Sequence, residues 1–344
     1  MIDKTVYEIE YIRNLHEKYS SDPGLIERAL YAFGLLEAIK SVGMPFCFKG
    51  GTSLLLILDK PARLSTDIDI IVAPGTDVDS YIDKASKIFP FIRKEEDVRK
   101  GKNNIVKRHF RFTYFSPVRK TEFYILLDIV FAPLPYAKTV EKEIKNDLLL
   151  TTGDNLKVEI PTPECILGDK LTAFAPHTTG ILLGSGKDLE IAKQMFDVAT
   201  LFDHLDDYEL FAVTYKNSAE EETDFRGENW TREEILQDTI RACISIISRG
   251  KNDSDDYAEY LRGIKSLRNH VLTKGYNTDN ATWKACKVLY LASCLLSNNP
   301  PSRINTPEEY LATTLSGERY KGLSYIRKQN SEAYAYLVEA TRNL

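Results

Sequence analysis

The chain has 344 residues, which favours two domains, since a single core stops growing near roughly 250–300 residues. Hydrophobic residues make up 43% and charged residues 28%, with a net charge of −5, the balance of an ordinary globular protein and not of a molecule-wide basic nucleic-acid binder. No apolar run approaches the roughly 20 residues that cross a bilayer and the opening residues carry acids rather than a secretory apolar stretch, so a cytoplasmic protein with no membrane partner is expected.

Residues 5–19 and 24–41 read as helices. The second opens at Ser21-Asp22-Pro23, with proline near the first helical position. Leu25, Ile26, Leu30, Phe33, Leu36 and Ile39 follow at helical spacing, and Gly43 is a stop signal. Residues 45–49 form a short strand candidate that runs into Gly50-Gly51. Residues 53–58 read as one or two helical turns and 60–63 as a loop. The β-branched run 67–73, DIDIIVA, reads as a strand and 77–89 as a helix. Residues 105–115 alternate basic or polar with aromatic residues and read as a strand. A turn at 116–120 leads to another strand at 122–132, EFYILLDIVFA. This element order is an α/β arrangement with a mixed sheet.

After about residue 160 no strand is expected. Thr162-Pro163-Glu164 opens a helix, with threonine as cap and proline next. Helical patterns follow at about 164–174, 187–204, 207–217, 231–249, 255–273, 281–297, 307–315 and 321–343. The acid-rich stretch 203–228 is expected to be exposed. The domain boundary is placed at 155–161. N-terminal helices (1–42) then pack on a core (43–160), followed by a large helical domain (161–344). The five cysteines are scattered without a CxxC pair, so they are expected to be reduced and mostly buried, with no zinc site.

One stretch has a strong local field. Arg99, Lys100, Lys102, Lys107, Arg108, Arg111, Arg119 and Lys120 occur with no acid among them. Such a patch either holds a polyanion or is a solvated edge hairpin whose charge resists aggregation.

The chemistry concentrates in the acids of the strands. Asp67 and Asp69 are two apart on a strand, so both project from one face. Two adjacent carboxylates repel unless a cation lies between them. Magnesium favours a few carboxylates plus phosphate oxygens and water, and paired ions can clamp both oxygens of a phosphoryl displacement. Asp128 offers a third carboxylate. It is the only acid between Ile125 and Ala132, and unpaired it would be costly there. An alternating Asp-x-Asp can also simply face solvent. Gly50-Gly51, between a strand and a helix, lets backbone amides approach a phosphate, and a helix start at Thr52-Ser53 adds partial positive charge. Arg63 and Ser65 precede Asp67. Either they orient the loop or touch phosphate, or they are a surface cation and a turn hydroxyl.

Gly-Gly-Thr, a short helix, Asp-x-Asp on a strand and a later strand Asp follow the pattern of the polymerase-beta-like nucleotidyltransferase superfamily. The string FKGGTSLLLILDKPARLSTDIDIIV resembles the AbiEii/AbiGii-type toxins, nucleotidyltransferase partners in type IV toxin–antitoxin and abortive-infection systems. The Arg-x-Ser-x-Asp-x-Asp block of that family is matched by Arg63, Ser65, Asp67 and Asp69. Its Asp-Lys-x-x-Ala segment is matched by Asp169-Lys170-Leu171-Thr172-Ala173, and its later acidic helix by residues 193–198. The resemblance implies an α+β fold with a polymerase-beta-like core and a mixed sheet, followed by an all-helical domain that contributes to the site. It implies that Lys170 supports a nucleoside triphosphate, and that Asp197 is a base or the structural partner of a lysine. Gln194 departs from the family's usual acid, and Lys187-Asp188 lies earlier, so both Lys187 and Lys193 stand as candidates. The likeness covers about residues 30–205.

The implied activity is transfer of a nucleoside monophosphate from an NTP, with Mg2+ or Mn2+, to tRNA or another RNA. A cognate antitoxin is an expected partner. The alternatives are a protein or small-molecule acceptor, or a nucleotide-binding module without catalysis.

Overall fold

The computed structural model describes residues 1–97, 106–251 and 254–344. They form two compact units, Met1–Thr162 with Asn269–Lys274, and Pro163–Arg268 with Gly275–Leu344. The first carries a mixed sheet and the second is helical, so the fold is α+β.

In the first unit, a short 3-10 turn and helix α1 (Ile9–Tyr19) lead into α2 (Pro23–Ser41). Asp22 caps α2 by accepting a hydrogen bond from the Leu25 amide at 3.0 Å, which satisfies one orphan donor of the first turn. Almost every position from Ile26 to Ile39 is buried, as a helix apolar all round requires. Glu27 is buried among them. Its carboxylate accepts from the Tyr114 hydroxyl and the Ser116 hydroxyl, both at 2.8 Å, and from the Val118 amide at 3.0 Å. Those donors offset the cost of burying the charge. They also clamp α2 onto a hairpin, β4 (Val106–Ser116) and β5 (Thr121–Phe131), where Tyr31 stacks on Tyr114 at 3.7 Å between centroids.

The other strands are β1 (Cys47–Lys49), β2 (Ile68–Val72), β3 (Phe91–Glu96), β6 (Thr139–Glu143) and β7 (Lys157–Pro161). The sheet runs β3-β4-β5-β2-β1-β7-β6. β2 pairs parallel to β5 and β1 parallel to β7, and the remaining pairs are antiparallel. Ile68, Ile70, Phe110, Phe112, Leu127 and Ile129 are buried on one face. The alternate positions Asp69, His109 and Asp128 are half-buried on the other, as a period of two demands. Short helices α3 (Gly50–Ile57) and α4 (Asp79–Ala85) complete this unit.

Three strands were not expected. β3 and β6 are the sheet's two edges, and their sequences, FIRKEE and TVEKE, are polar because edge strands are protected by charge. β7 occupies the stretch expected to be a linker, and the units divide between Thr162 and Pro163. β2 starts at Ile68, so Asp67 lies one residue before the strand. Of the basic stretch, Arg99, Lys100 and Lys102 lie outside the described residues. Its hairpin is not an edge, because β3 covers β4. Arg108 pairs with Glu96 and Asp79, each at 2.8 Å, and Arg111 pairs with Asp97 at 3.0 Å.

The helical unit contains α5 (Pro163–Ala173), α6 (Asp188–Phe202), α7 (Tyr208–Arg226), α8 (Arg232–Ser248), α9 (Ser254–Leu267), α10 (Thr278–Ser297) and α11 (Ser331–Asn343). α10 is buried along most of its length and packs on α6, α8 and α11. Capping boxes at Thr231 and Asn277 start α8 and α10. The acid-rich α7 runs on to Arg226, well past residue 217, and stops where Gly227 takes a left-handed conformation. α9 ends at Leu267 rather than 273, because residues 269–274 belong to the first unit. The single helix expected over 321–343 is broken. Asn330 caps α11 by accepting from the Ala333 amide at 2.8 Å, and 3-10 turns precede it. All five cysteines are buried and none forms a disulfide. No helix among the described residues is long and apolar enough to cross a membrane.

Candidate functional site

Asp69 and Asp128 face each other directly across the parallel β2–β5 pair, and Lys49 lies opposite Asp69 on β1. Ser65, Asp67 and Asp69 alternate as half-buried positions between the buried Leu64, Thr66, Ile68 and Ile70. The alternation therefore continues ahead of β2 and turns all three polar side chains one way. The Asp67 carboxylate is engaged by Arg28 of α2 at 3.3 Å. Asp128 accepts from Nδ1 of His109 on β4 at 2.6 Å.

The glycine turn closes on this group. Gly50 has φ +81, and a methyl there would lie 2.1 Å from Oδ2 of Asp69. Only glycine combines that conformation with so close an approach. A methyl on Gly51 would lie 2.8 Å from both the Arg63 guanidinium and the Ser65 hydroxyl, so Arg63 and Ser65 converge on the same turn. Arg63 is not a surface cation. It is 5% exposed, donates to the Leu64 carbonyl at 3.0 Å, and its strand segment bridges to Val271. The Thr52 hydroxyl donates to the Asp67 carbonyl at 2.6 Å and the Ser53 hydroxyl to the Gly50 carbonyl at 2.8 Å. Both hydroxyls are spent inside the fold. What α3 retains is its backbone: no side chain caps its N-terminus, so its first amides are available to an anion.

The helical unit joins a second set. Lys170 on α5 forms an ion pair with Asp197 on α6 at 3.0 Å and donates to Oε1 of Gln194 at 3.1 Å. Both charged side chains are buried. Asp197 is therefore a buried partner of Lys170 and not an exposed helix acid, and Lys193 forms an ion pair with Glu190 at 3.9 Å. Lys187 precedes α6 and lines a cavity of about 340 Å³ together with Asp169, Glu222 and Arg226. Lys284 reaches the same helix from α10, with its ammonium over the Phe196 ring and donating to Thr200 at 3.2 Å. Burial lowers its pKa to about 8.

Arg28 and His109 escaped the sequence reading. Each reaches its aspartate across the fold, and neither belongs to a local motif. The one signal was placement: Arg28 interrupts an apolar helix, and His109 alternates with basic residues on a strand.

Carboxylate oxygens suit a hard cation, and the free backbone amides suit the phosphate that such a cation accompanies. Among the described residues, no group of three or more His, Cys, Asp or Glu side chains is gathered closely enough to hold a metal ion. Magnesium is commonly held by one or two carboxylates and completes its shell with substrate phosphate and water. An open pair of carboxylates beside an uncapped helix N-terminus fits that mode.

A family model described as "Nucleotidyl transferase AbiEii toxin, Type IV TA system" matches residues 35–284. No curated protein matches the chain. Among solved structures, the chain is similar to the crystal structure of JHP933 from Helicobacter pylori, at 15% identity and a TM-score of 0.43, over 79% of this chain and 93% of that one. The family match runs from within α2 to within α10, and on that extent the chain belongs to the AbiEii family of nucleotidyl transferase toxins of type IV toxin–antitoxin systems.

Proposed function

We propose that this protein transfers a nucleoside monophosphate from an NTP to an RNA acceptor, tRNA foremost, as the toxin of a type IV system with a cognate antitoxin. The observation that carries the reading is the meeting of Asp69, Asp128 and the Gly50 backbone at one end of β2. The amides that open α3 hold a phosphate of the triphosphate, and Arg63 and Ser65 brace the turn. Asp69 and Asp128 are the carboxylate pair that would hold magnesium or manganese, and Asp67, next along the same face, would complete the shell once cation and triphosphate are bound. A divalent cation bound there supplies charge neutralisation on the phosphates. An acceptor hydroxyl attacks the α-phosphorus in line. A new oxygen–phosphorus bond forms, the bond to the β-phosphate oxygen breaks, and pyrophosphate leaves. Asp128 is the better placed of two candidate bases for the hydroxyl proton, since Asp197 is 1% exposed and already paired. The remaining roles rest on the motif match: Lys170 as a cation for the triphosphate, Asp197 as the carboxylate that holds it, and Lys187 or Lys193 as a further cation. Catalysis by such a set is mainly positioning and charge stabilisation.

One observation favours a second reading, transfer to a protein or small molecule. Arg108 and Arg111 are spent on local acids, which weakens the field available to an RNA backbone. Incubation with each of the four α-labelled triphosphates, magnesium, and either total RNA or total protein decides between them. Label in RNA is expected, with Asp67→Asn lowering it at least about 10²-fold while the thermal transition is retained. Label only in protein supports the second reading. Magnesium-dependent nucleotide binding with no transfer anywhere would leave a non-catalytic module. Full activity of Asp67→Asn would refute the role of the carboxylates.

A further inference from the structure

His109 and Asp128 are directly opposed in the β4–β5 register, and Nδ1 lies 2.6 Å from Oδ1. A carboxylate oxygen only accepts, so Nδ1 carries the hydrogen. At that distance the bond is at the short, strong end for a charged acceptor. Asp128 has no other polar side-chain partner among the described residues, and its side chain, 29% exposed, is less open than that of Asp67 at 44%. Lys107, His109 and Arg111 share one face of β4, but Arg111 turns to Asp97 and stacks over Tyr124. The imidazole alone of these turns to the carboxylate. β4 itself is held in register with β5 from Val106 to Ser116, with Phe110 and Phe112 buried on its other face, so the ring stands on a rigid support.

We propose that His109 is a positioning residue for Asp128: it fixes Oδ1 and so presents Oδ2, and only Oδ2, to the reacting centre. An aspartate on a strand otherwise rotates about Cβ–Cγ and exchanges its two oxygens. A hydrogen-bonded partner behind a ligating carboxylate removes that freedom, and loss of such a partner typically weakens metal affinity about 10–100-fold. The inference rests on the proposed role of Asp128 as a carboxylate toward the cation, and it concerns a residue outside the matched motifs.

The test is manganese-dependent binding of the four α,β-methylene nucleoside triphosphates to the full chain, followed by manganese EPR and calorimetry, with the tightest analogue carried forward. Asp128→Asn, Asp67→Asn, His109→Ala and His109→Asn are compared with the wild type, and the thermal transition of each is recorded. His109→Ala is expected to lose about 10–100-fold in manganese-dependent affinity. His109→Asn, whose amide N–H takes the place of Nδ1–H, is expected to recover close to the wild-type value. Wild-type affinity in His109→Ala, with Asp128→Asn weakened, overturns the inference and leaves the functional reading standing. Equal losses in the Ala and Asn variants also overturn it, because ring packing and not the bond would then matter. Wild-type affinity in both aspartate variants overturns the functional reading, and the inference with it.

Discussion

Replacement of Gly50 by alanine is the most direct probe of the turn, because two separate costs meet at one atom. The backbone has φ +81, a left-handed conformation that costs an L-residue roughly 1–2 kcal/mol. The added methyl would lie 2.1 Å from Oδ2 of Asp69, where ordinary contact begins near 3.4 Å. The carboxylate must therefore retreat by about 1 Å, and overpacking of this kind costs roughly 1–3 kcal/mol. A total loss of about 2–5 kcal/mol is expected, less than the stability of most domains, so the variant still folds. Activity should suffer more than stability, since a misplacement of about 1 Å at a reacting centre costs on the order of 10²-fold. Gly51→Ala is the control. Gly51 is not left-handed, and its methyl would press most closely on the side-chain ends of Arg63 and Ser65, for which about 1–2 kcal/mol is expected. Urea unfolding and nucleotidyl transfer are measured on both. Should Gly51→Ala prove the more damaging by either measure, or Gly50→Ala be as stable as the wild type, the account of the turn is wrong.

Asp197→Ala leaves the buried Lys170 ammonium bonded to the neutral Gln194 amide but without its counter-charge, and breaking a buried pair costs about 3–5 kcal/mol. The double variant Lys170→Met with Asp197→Leu should recover most of that loss in urea unfolding. A single variant as stable as the wild type would show the pair to be dispensable. Lys284 gives a pH signature. Its folded pKa of about 8 lies below its ordinary value of 10.5, so the unfolded chain holds the proton more tightly and the native state is penalised at low pH. The penalty is complete below pH 8, about 3 kcal/mol at one pKa unit per 1.4 kcal/mol, and vanishes as pH passes 10.5. Lys284→Met should therefore be the more stable protein at pH 7, with an advantage that shrinks by pH 9.5. The lost Thr200 bond works against part of it. A pH-independent difference between the two proteins would contradict the assigned burial. Glu27→Ala strands three donors, the Tyr114 and Ser116 hydroxyls and the Val118 amide. At about 1–3 kcal/mol for each unmet buried group, it should be among the most destabilising single changes. A loss below about 1 kcal/mol would show that water replaces the carboxylate.

What could be read from the sequence was local. Gly50-Gly51 and the Asp67–Asp69 spacing announce themselves within twenty residues, and the apolar run around Asp128 marks it as anomalous without any structure. The edge strands β3 and β6 were hidden because protection from aggregation made them polar. Residues 269–274 were hidden because a helical pattern runs into them, while their backbone instead bonds Ala62 and Leu64. Arg28 and His109 act over 39 and 19 residues, and nothing in a short window links such partners. Lys170 and Asp197 were found through a motif, yet their burial, which makes them a pair, was not visible until the helices were packed.

Helix α2 carries two adjacent residues with different duties. Glu27 fastens the β4–β5 hairpin, and Arg28, one step on, holds the first aspartate of the site. The family match begins at residue 35, beyond both. A fragment trimmed to the recognisable motif would keep every carboxylate and the glycine turn, but would lose the anchor of the hairpin that bears Asp128 and the counter-charge of Asp67. A unit that keeps both contacts is thus longer than the matched segment, and its upstream limit lies in a helix whose sequence looks like nothing more than core.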